Sequence, residues 1–329
     1  MAKLVTIFGG SGFVGRHIAR RMAKAGWRVR VAVRRPNEAI FVKPYGAVGQ
    51  VVPIMANVRD DESVRRAMHG ADAVVSCVSV PVQHGKQTFN LIQHHGTARI
   101  GRIAAEEGIG RVVHISAIGA DANSRSLYAE TKAQGEAALL EAVPGAMILR
   151  PSIMFGPGDG FFNMFGSMAR VSPVIPIFGA NSKFQPVYVD DVAAAAVKGV
   201  TGEAQGGIYE LGGPEIMTFR ELIQLVLQIT QRRRLILPLP YWVGSAMGGA
   251  LNIAQMLTFG LFKNRIITPD QVILLREDNV ANPDMPGLKD LGIEPVSMDA
   301  VLEDYLWPYR PSGQYAEIKD SARGLKVQE

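Results

Sequence analysis

Lys3-Leu-Val-Thr-Ile-Phe8 runs without a break into Gly9-Gly-Ser-Gly-Phe-Val-Gly15-Arg16. A short apolar run with β-branched residues reads as a buried strand. Glycines at 9, 12 and 15 then open a helical pattern, Phe13, Val14, Ile18 and Met22, whose other face carries Arg20, Arg21 and Lys24. A strand, a tight turn and a helix in this order favour an anion at the turn. Missing Cβ atoms let the backbone approach a pyrophosphate, while free N–H groups and the positive end of the helix dipole point at its charge. A second strand, Trp27-Arg-Val-Arg-Val-Ala-Val33, follows the helix, as a dinucleotide-binding unit requires. The spacing Gly-x-x-Gly-x-x-Gly is looser than the usual dehydrogenase triplet.

Working outward, strand and helix patterns alternate to about Arg150, which predicts a parallel sheet with helices on both faces, a doubly wound α/β fold of Rossmann type. Gln50-Val-Val-Pro-Ile-Met55, Asp72-Ala-Val-Val-Ser-Cys-Val78, Arg111-Val-Val-His-Ile-Ser116 and Ala146-Met-Ile-Leu-Arg150 read as strands. Helices are expected near 61–69, from Lys86 to Glu107 and from Leu127 to Glu141. We read 1–150 as the nucleotide-binding domain. Beyond Pro151, glycine and proline clusters break the rhythm and the elements shorten: an extended segment at 185–189, a helix capped by Asp190 or Asp191, a strand at 207–211 and a helix from Thr218 to Ile229. Residues 151–310 are expected as a smaller α/β lobe over the sheet's C-terminal edge, facing a partner or a membrane, and 311–329 as an extended tail.

At 329 residues the chain can bury a substantial core. The net charge of +5 suits a nucleotide, an anionic membrane surface or an acidic partner. The basic residues are scattered, which argues against nucleic acid. The single cysteine, Cys77, excludes an internal disulfide and falls in an expected strand, where it reads as core packing. No targeting signal precedes the first strand, so we expect a protein of the bacterial cytoplasm, or a mature form without its leader.

The glycine turn resembles that of the short-chain dehydrogenase/reductase superfamily. Tyr128-Ala-Glu-Thr-Lys132 strengthens the resemblance, because a phenol and an ammonium at i and i+4 share one helix face. In that superfamily the lysine holds the nicotinamide ribose and lowers the tyrosine pKa, and the tyrosine moves a proton to or from a carbonyl. The catalytic serine is less well matched. Ser116 is the candidate, but in the usual register the position falls on Ala117 or Ile118, and the supporting asparagine is replaced by Gln93. The resemblance therefore implies a nucleotide pocket with an incomplete proton relay.

A carboxylate after the second strand would accept from the ribose 2′-OH and repel a 2′-phosphate. Here the strand ends in Arg34-Arg35-Pro36, with no acid before Glu38, so NADPH or NADP is expected. Arg34 is the primary phosphate contact, with Arg35 or Arg16 assisting. Asn57-Val58, after the third strand, occupies the place where related folds touch the adenine. The expected nucleotide contacts are thus Gly9, Ser11, Gly12, Phe13, Val14, Gly15, Arg34, Arg35, Asn57, Val58, Ser116, Tyr128, Lys132 and Pro151.

Other polar candidates have simpler readings. His94 and His95, adjacent on an expected helix, would point about 100° apart, which disfavours joint metal ligation. Asp159 reads as a turn residue, and no zinc spacing, phosphate-binding lysine loop or nucleophile elbow occurs. Between Arg232-Arg-Arg234 and Lys263 no residue carries a formal charge. Prolines, glycines and polar side chains weaken a membrane span, leaving a core helix of the second lobe or an apolar face at 235–262 lying on lipid or on a membrane-embedded partner. Tyr241, Trp242, Phe259 and Phe262 would sit near its margins.

Leu149-Arg-Pro-Ser-Ile-Met-Phe-Gly-Pro-Gly-Asp159, Val187-Tyr-Val-Asp-Asp-Val192 and Tyr209-Glu-Leu-Gly-Gly-Pro214 look like the extended, atypical branch that includes nucleotide-sugar epimerases. Thr268-Pro-Asp-Gln-Val-Ile-Leu-Leu-Arg-Glu-Asp-Asn279, Leu291-Gly-Ile-Glu-Pro295 and Tyr305-Leu306 are narrower. They resemble the bacterial form of the alpha-subcomplex subunit nine family of respiratory complex I, NADH:ubiquinone oxidoreductase. The resemblance implies an accessory subunit of the peripheral arm near the quinone site, on the cytoplasmic face of the inner membrane, holding NADPH without established turnover. A free-standing NADPH-dependent reductase, or an epimerase or dehydratase, is the alternative.

Overall fold

Strand β1 (Leu4–Phe8) buries all five side chains and sits in the middle of a seven-stranded parallel sheet. The computed structural model describes residues 2–246, 249 and 268–313. Its sheet comprises β1, β2 (Arg28–Val33), β3 (Val51–Met55), β4 (Ala73–Ser76), β5 (Val112–Ile115), β6 (Met147–Pro151) and β11 (Gly207–Leu211), in the order β11-β6-β5-β4-β1-β2-β3. Continuous burial along the central strands reflects cover on both faces, the usual condition of a parallel sheet. The order reverses between β1 and β4, and that switch point is where open α/β sheets leave a crevice at their carboxyl ends.

Helix α1 (Phe13–Lys24) and α6 (Val189–Thr201) pack on one face, where Ile18, Met22, Val192 and Ala196 meet Val5, Ile7 and Val31. On the other lie α2 (Asp61–Met68), α3 (His95–Glu106) and α4 (Leu127–Ala142), burying Met68, Ile103 and Leu139 against Phe8 and Val74. Local chemistry starts these helices. Asp60 caps α2 by accepting from the Ser63 N–H at 3.0 Å, and Ser126 caps α4 through the Ala129 N–H.

The helix expected from Lys86 begins later. Thr88 Oγ1 accepts from the Leu91 N–H, and a π-helical turn at Asn90–His94 leads into α3. Two later elements complete this layered unit, and the first is α6, which packs on the sheet and carries Asp190 and Asp191 in its first turn; the N-cap is Tyr188, so neither aspartate has the expected capping role. The second is β11, which pairs with β6 through five register positions. The chain thus leaves the sheet at Pro151 and returns to complete it.

The remaining elements form a separate apolar cluster over the sheet's carboxyl edge. The elements here are β7 (Met154–Phe155), α5 (Phe161–Val171), β8 (Val174–Phe178), β9 (Lys183–Phe184), β10 (Val187–Tyr188), β12 (Met217–Thr218), α7 (Phe219–Ile229), β13 (Leu235–Leu239) and the short helices Pro269–Leu274 and Leu302–Leu306, with Val187 joining the sheet's own core and Val272 packing on Phe178 in a small cluster beside it. Phe155, Phe161, Phe162, Phe165, Phe184 and Phe219 stack edge-to-face or tilted at its centre. Thr218 and Glu221 close a reciprocal capping box at the start of α7. Of the stretch 235–262, only 235–246 and residue 249 are among the described residues, as is 311–313 of the tail. No helix among the described residues is long and apolar enough to cross a membrane.

Candidate functional site

At the β1–α1 turn, Gly9 adopts φ +76°, a left-handed conformation that favours glycine, and a Cβ there would sit 3.2 Å from the Cys77 carbonyl. Gly15 is needed for a different reason. A Cβ at that position would lie 2.4 Å from Gly9 O and 2.7 Å from Gly10 Cα, so α1 could not approach the turn. Gly12, the N-cap, contributes no side chain, and the first helical turn contains no acid. The first intrahelical bond runs from the Arg16 N–H to Gly12 O at 3.1 Å. The N–H groups of Phe13, Val14 and Gly15 precede it and stay open, beside the positive end of the dipole. This cradle fits a pyrophosphate.

The basic residues around it divide by partner. Arg16 donates to Pro157 O at 2.5 Å, and its guanidinium lies 5.5 Å over the Phe13 ring, so it ties the turn to the Gly156–Gly160 loop of the second lobe. Arg35 pairs with Glu38 at 2.9 Å on the surface. Arg34, next to it, is exposed and makes no ion pair among the described residues. Asn57 and Val58 follow β3; Asn57 Oδ1 accepts from the Arg59 N–H, and Val58 is buried against Gly96.

Helix α4 brings Tyr128 and Lys132 to the carboxyl ends of β4 and β5. Lys132 is 2% exposed, its Nζ donates to Ile115 O at 3.2 Å, and it lies 5.9 Å from the centroid of the Tyr128 ring. Burial pulls the ammonium down to about 8, against the opposing charge of Glu136. Tyr128 packs edge-on against Phe89 at 5.6 Å. Burial raises its pKa, opposed by a hydrogen bond with Ser79, and Asp270 raises it further. Desolvation of the phenol is the dominant influence on it here.

Ser116, at the end of β5, is buried and donates its hydroxyl to Glu136. Glu136 also accepts from Arg150, from Nη2 at 2.5 Å and from Nε shared between both carboxylate oxygens at 3.1 and 3.2 Å, and Arg150 reaches Glu210 at 3.4 Å. Gln93 accepts from Thr131 Oγ1 at 3.1 Å and donates to Val80 O and Ser79 Oγ, so it braces the loop after β4. Pro151 closes β6, its carbonyl accepting from the Ile118 N–H. Sequence reading missed Ser79, Glu136 and Asp270. Glu136 had a visible signal, since it stands one turn beyond Lys132 on the same helix face. Ser79 and Asp270 had none, because their partners lie 49 and 142 residues away in the chain.

The sequence model of the NAD dependent epimerase/dehydratase family matches residues 5–212. The mitochondrial NADH dehydrogenase [ubiquinone] 1 alpha subcomplex subunit 9 of Arabidopsis thaliana is 31% identical over 316 residues, covering 94% of this chain and 79% of that protein. The chain belongs to the alpha-subcomplex subunit nine family, within the epimerase/dehydratase family. A second member-like relative, the NADH-ubiquinone oxidoreductase 40 kDa subunit of Neurospora crassa, is 28% identical over 94% of this chain and 80% of its own length. The NAD complex of UDP-glucose 4-epimerase from Thermus thermophilus superposes with a TM-score of 0.68 at 18% identity, over 94% of this chain and 99% of that one, which establishes a shared fold.

The open N–H groups after Gly12 and the family this subunit nine chain belongs to support binding of a nicotinamide dinucleotide within residues 5–212. The other polar candidates serve packing. His94 and His95 do not diverge as expected: the π-helical turn stacks their rings at 4.5 Å. Asp159 is more than a turn residue, since it is buried, accepts from the Phe162 N–H at 2.7 Å and takes a hydrogen bond from Tyr305. Asp190 holds Arg21 bidentately at 2.7 and 2.9 Å and lies 3.7 Å from His17, and those contacts, the one with His17 foremost, keep its carboxyl far below the usual range. Cys77 lies just past the end of β4, half-buried, and desolvation pushes its thiol up to about 12. No cluster of metal ligands occurs among the described residues.

Proposed function

We propose that this chain is an accessory subunit of respiratory complex I that holds NADPH as a structural ligand and supports the stability and assembly of the peripheral arm near the quinone site. Its place would be the cytoplasmic side of the bacterial inner membrane, among other complex I subunits. The observation that carries the reading is the contrast within one pocket. The anion cradle and the Tyr128–Lys132 pair are intact, while the Ser116 hydroxyl is engaged by Glu136 and Gln93 braces a loop. Such a site can grip a nucleotide without a complete relay for passing protons.

In this reading the N–H groups of Ser11, Phe13, Val14 and Gly15 hold the pyrophosphate, and Gly12, its own N–H turned back to Gly9 O, lets the phosphates approach the backbone. Arg34 takes the 2′-phosphate with Arg35 beside it, and Asn57 and Val58 flank the adenine. Ser116, Tyr128, Lys132 and Pro151 border the nicotinamide end, where Lys132 would donate to ribose hydroxyls. Bound NADPH carries a transferable hydride, but its role here is to fix the domain. A ligand present at about a hundred times its Kd adds roughly 2.7 kcal/mol to the folded state. Residues 151–310 would form the partner-facing lobe and 311–329 a tail laid along a neighbour.

The test has two arms. Protein purified under native conditions should release NADPH or NADP, identified by mass, and membranes solubilised in mild detergent should carry the chain in the NADH:ubiquinone oxidoreductase band. Recovery only as a free species, empty of nucleotide, would defeat the proposal. The alternative, a free-standing reductase or epimerase-like enzyme, draws on the intact Tyr128. It predicts that Tyr128→Phe abolishes function, whereas the accessory role predicts normal assembly of that variant.

A further inference from the structure

The parallel ladder formed by β8 and β13 has one face turned inward, where Ile175, Ile177 and Ile236 join the aromatic cluster. Its other face is apolar and open. Register places Leu235 beside Val174 and Leu237 beside Pro176, and Leu235 is 62% exposed. A five-residue strand gives this face a length of about 17 Å. At its far end Trp242 is 71% exposed. At its near end, where α5 stops, Val171 is 79% exposed beside Arg170.

That near end gathers positive charge without compensation. Arg234 donates to Ala169 O at 2.7 Å and Arg232 to Tyr309 O at 2.6 Å, which fixes both stems at the ends of α5 and α7. Arg234 and Arg170 are close enough to lower the pKa of Arg232, after burial. Arg233 and Arg170 point to solvent. Among the described residues no carboxylate pairs with any of the four. Like charges held together cost stability unless an anion meets them. The sequence onward from Leu235 carries no formal charge until Lys263.

We infer that the β8–β13 face, rimmed by Arg170, Arg232, Arg233 and Arg234, is a seat for an anionic phospholipid surface. Apolar side chains would enter the headgroup boundary, the guanidiniums would meet lipid phosphates, and Trp242 would lie at headgroup level, where indoles concentrate. A lipid surface matches this edge better than a folded partner. It offers phosphates everywhere, so arginines of differing reach need no individually placed carboxylates. The inference deepens the proposed peripheral membrane role and rests on it.

The experiment uses the full chain with phosphatidylcholine vesicles, alone or mixed with phosphatidylglycerol, in a flotation assay at low and high salt. Binding should require the anionic lipid and weaken with salt. Arg170→Ser with Arg233→Ser should lower partitioning about fivefold per arginine removed. Leu235→Ser with Leu237→Ser should release the protein even from anionic vesicles. All four positions are exposed, and unchanged melting temperatures would establish that the variants fold. Binding indifferent to lipid charge, or variants that float like the parent, would overturn the inference. Loss of the variants from complex I without any vesicle binding by the parent would also overturn it, in favour of a protein partner. The proposed function fails separately, if the chain binds vesicles yet never migrates with complex I.

Discussion

Asp270 caps the helix that begins at Leu127: its carboxylate accepts the Leu127 N–H at 2.8 Å across 143 residues of sequence, and Ser126 Oγ at 2.9 Å. The helix so capped carries Tyr128 and Lys132, and the cap comes from the second lobe. An aspartate at this end also complements the helix dipole. Asp270→Ala should cost about 1–2 kcal/mol, a fall in Tm of roughly 2–4 °C per kcal/mol for a chain of this size. Thermal melts with and without nucleotide check it. A variant melting like the parent would remove the link between the lobe and the pocket.

Gly15→Ala should be far more damaging than its single methyl suggests. The added Cβ meets backbone atoms of Gly9 and Gly10, which cannot swing aside as a flexible side chain would. We expect a loss of about 1–3 kcal/mol and of nucleotide retention through native purification. Gly26→Ala makes a useful contrast, since a Cβ there meets nothing within 4 Å although its φ of +80° strains any side chain; it should leave nucleotide retention intact.

Arg34→Ala should weaken NADPH binding more than NADH binding, by about tenfold or more if a charge-assisted bidentate contact to the 2′-phosphate is lost. Titration of the stripped protein with each nucleotide measures the ratio. Equal losses would reassign the phosphate contact.

The buried lysine sets a pH dependence. Burial holds Lys132 down to about 8 in the folded chain, against the ordinary lysine value of 10.5 that it regains on unfolding. Between those values the unfolded state binds more protons, so stability of the nucleotide-free protein should rise with pH from about 8 to 10.5, by up to about 1.4 kcal/mol per pH unit from this group. Below 8 the full penalty of a buried charge is felt. Denaturant melts of Lys132→Met across that range should lack this rise; identical pH profiles would refute the assignment.

Arg150→Met should be costly for the opposite reason. It strands Glu136, buried behind Ser116, without its guanidinium partner, and removing one member of a buried pair typically costs about 3–5 kcal/mol. Adding Glu136→Leu should recover much of that loss. If the double variant is no better than the single, the pair does not act as a unit.

How much of this was legible in the chain follows from how far each feature reaches. The β1–turn–α1 cradle is local, since glycines lacking Cβ atoms and a helix start without an acid are written in sixteen consecutive residues. The face shared by Tyr128 and Lys132 follows from helical period alone. The stacked His94 and His95 were not legible, because a π-helical turn depends on how α3 is packed and departs from the 3.6-residue period that sequence reading assumes.

The amino acids by themselves determined the alternating strands and helices, the glycine turn with its open N–H groups and the placement of phenol and ammonium on one helix, because each depends on neighbours within a few residues. Tertiary structure alone decided that β11 returns to β6, that Ser116 gives its hydroxyl to Glu136 and that Asp270 caps α4. Those choices are settled when distant segments compete for the same donors and the same buried space, and neither the donors nor the space exists until the sheet has closed.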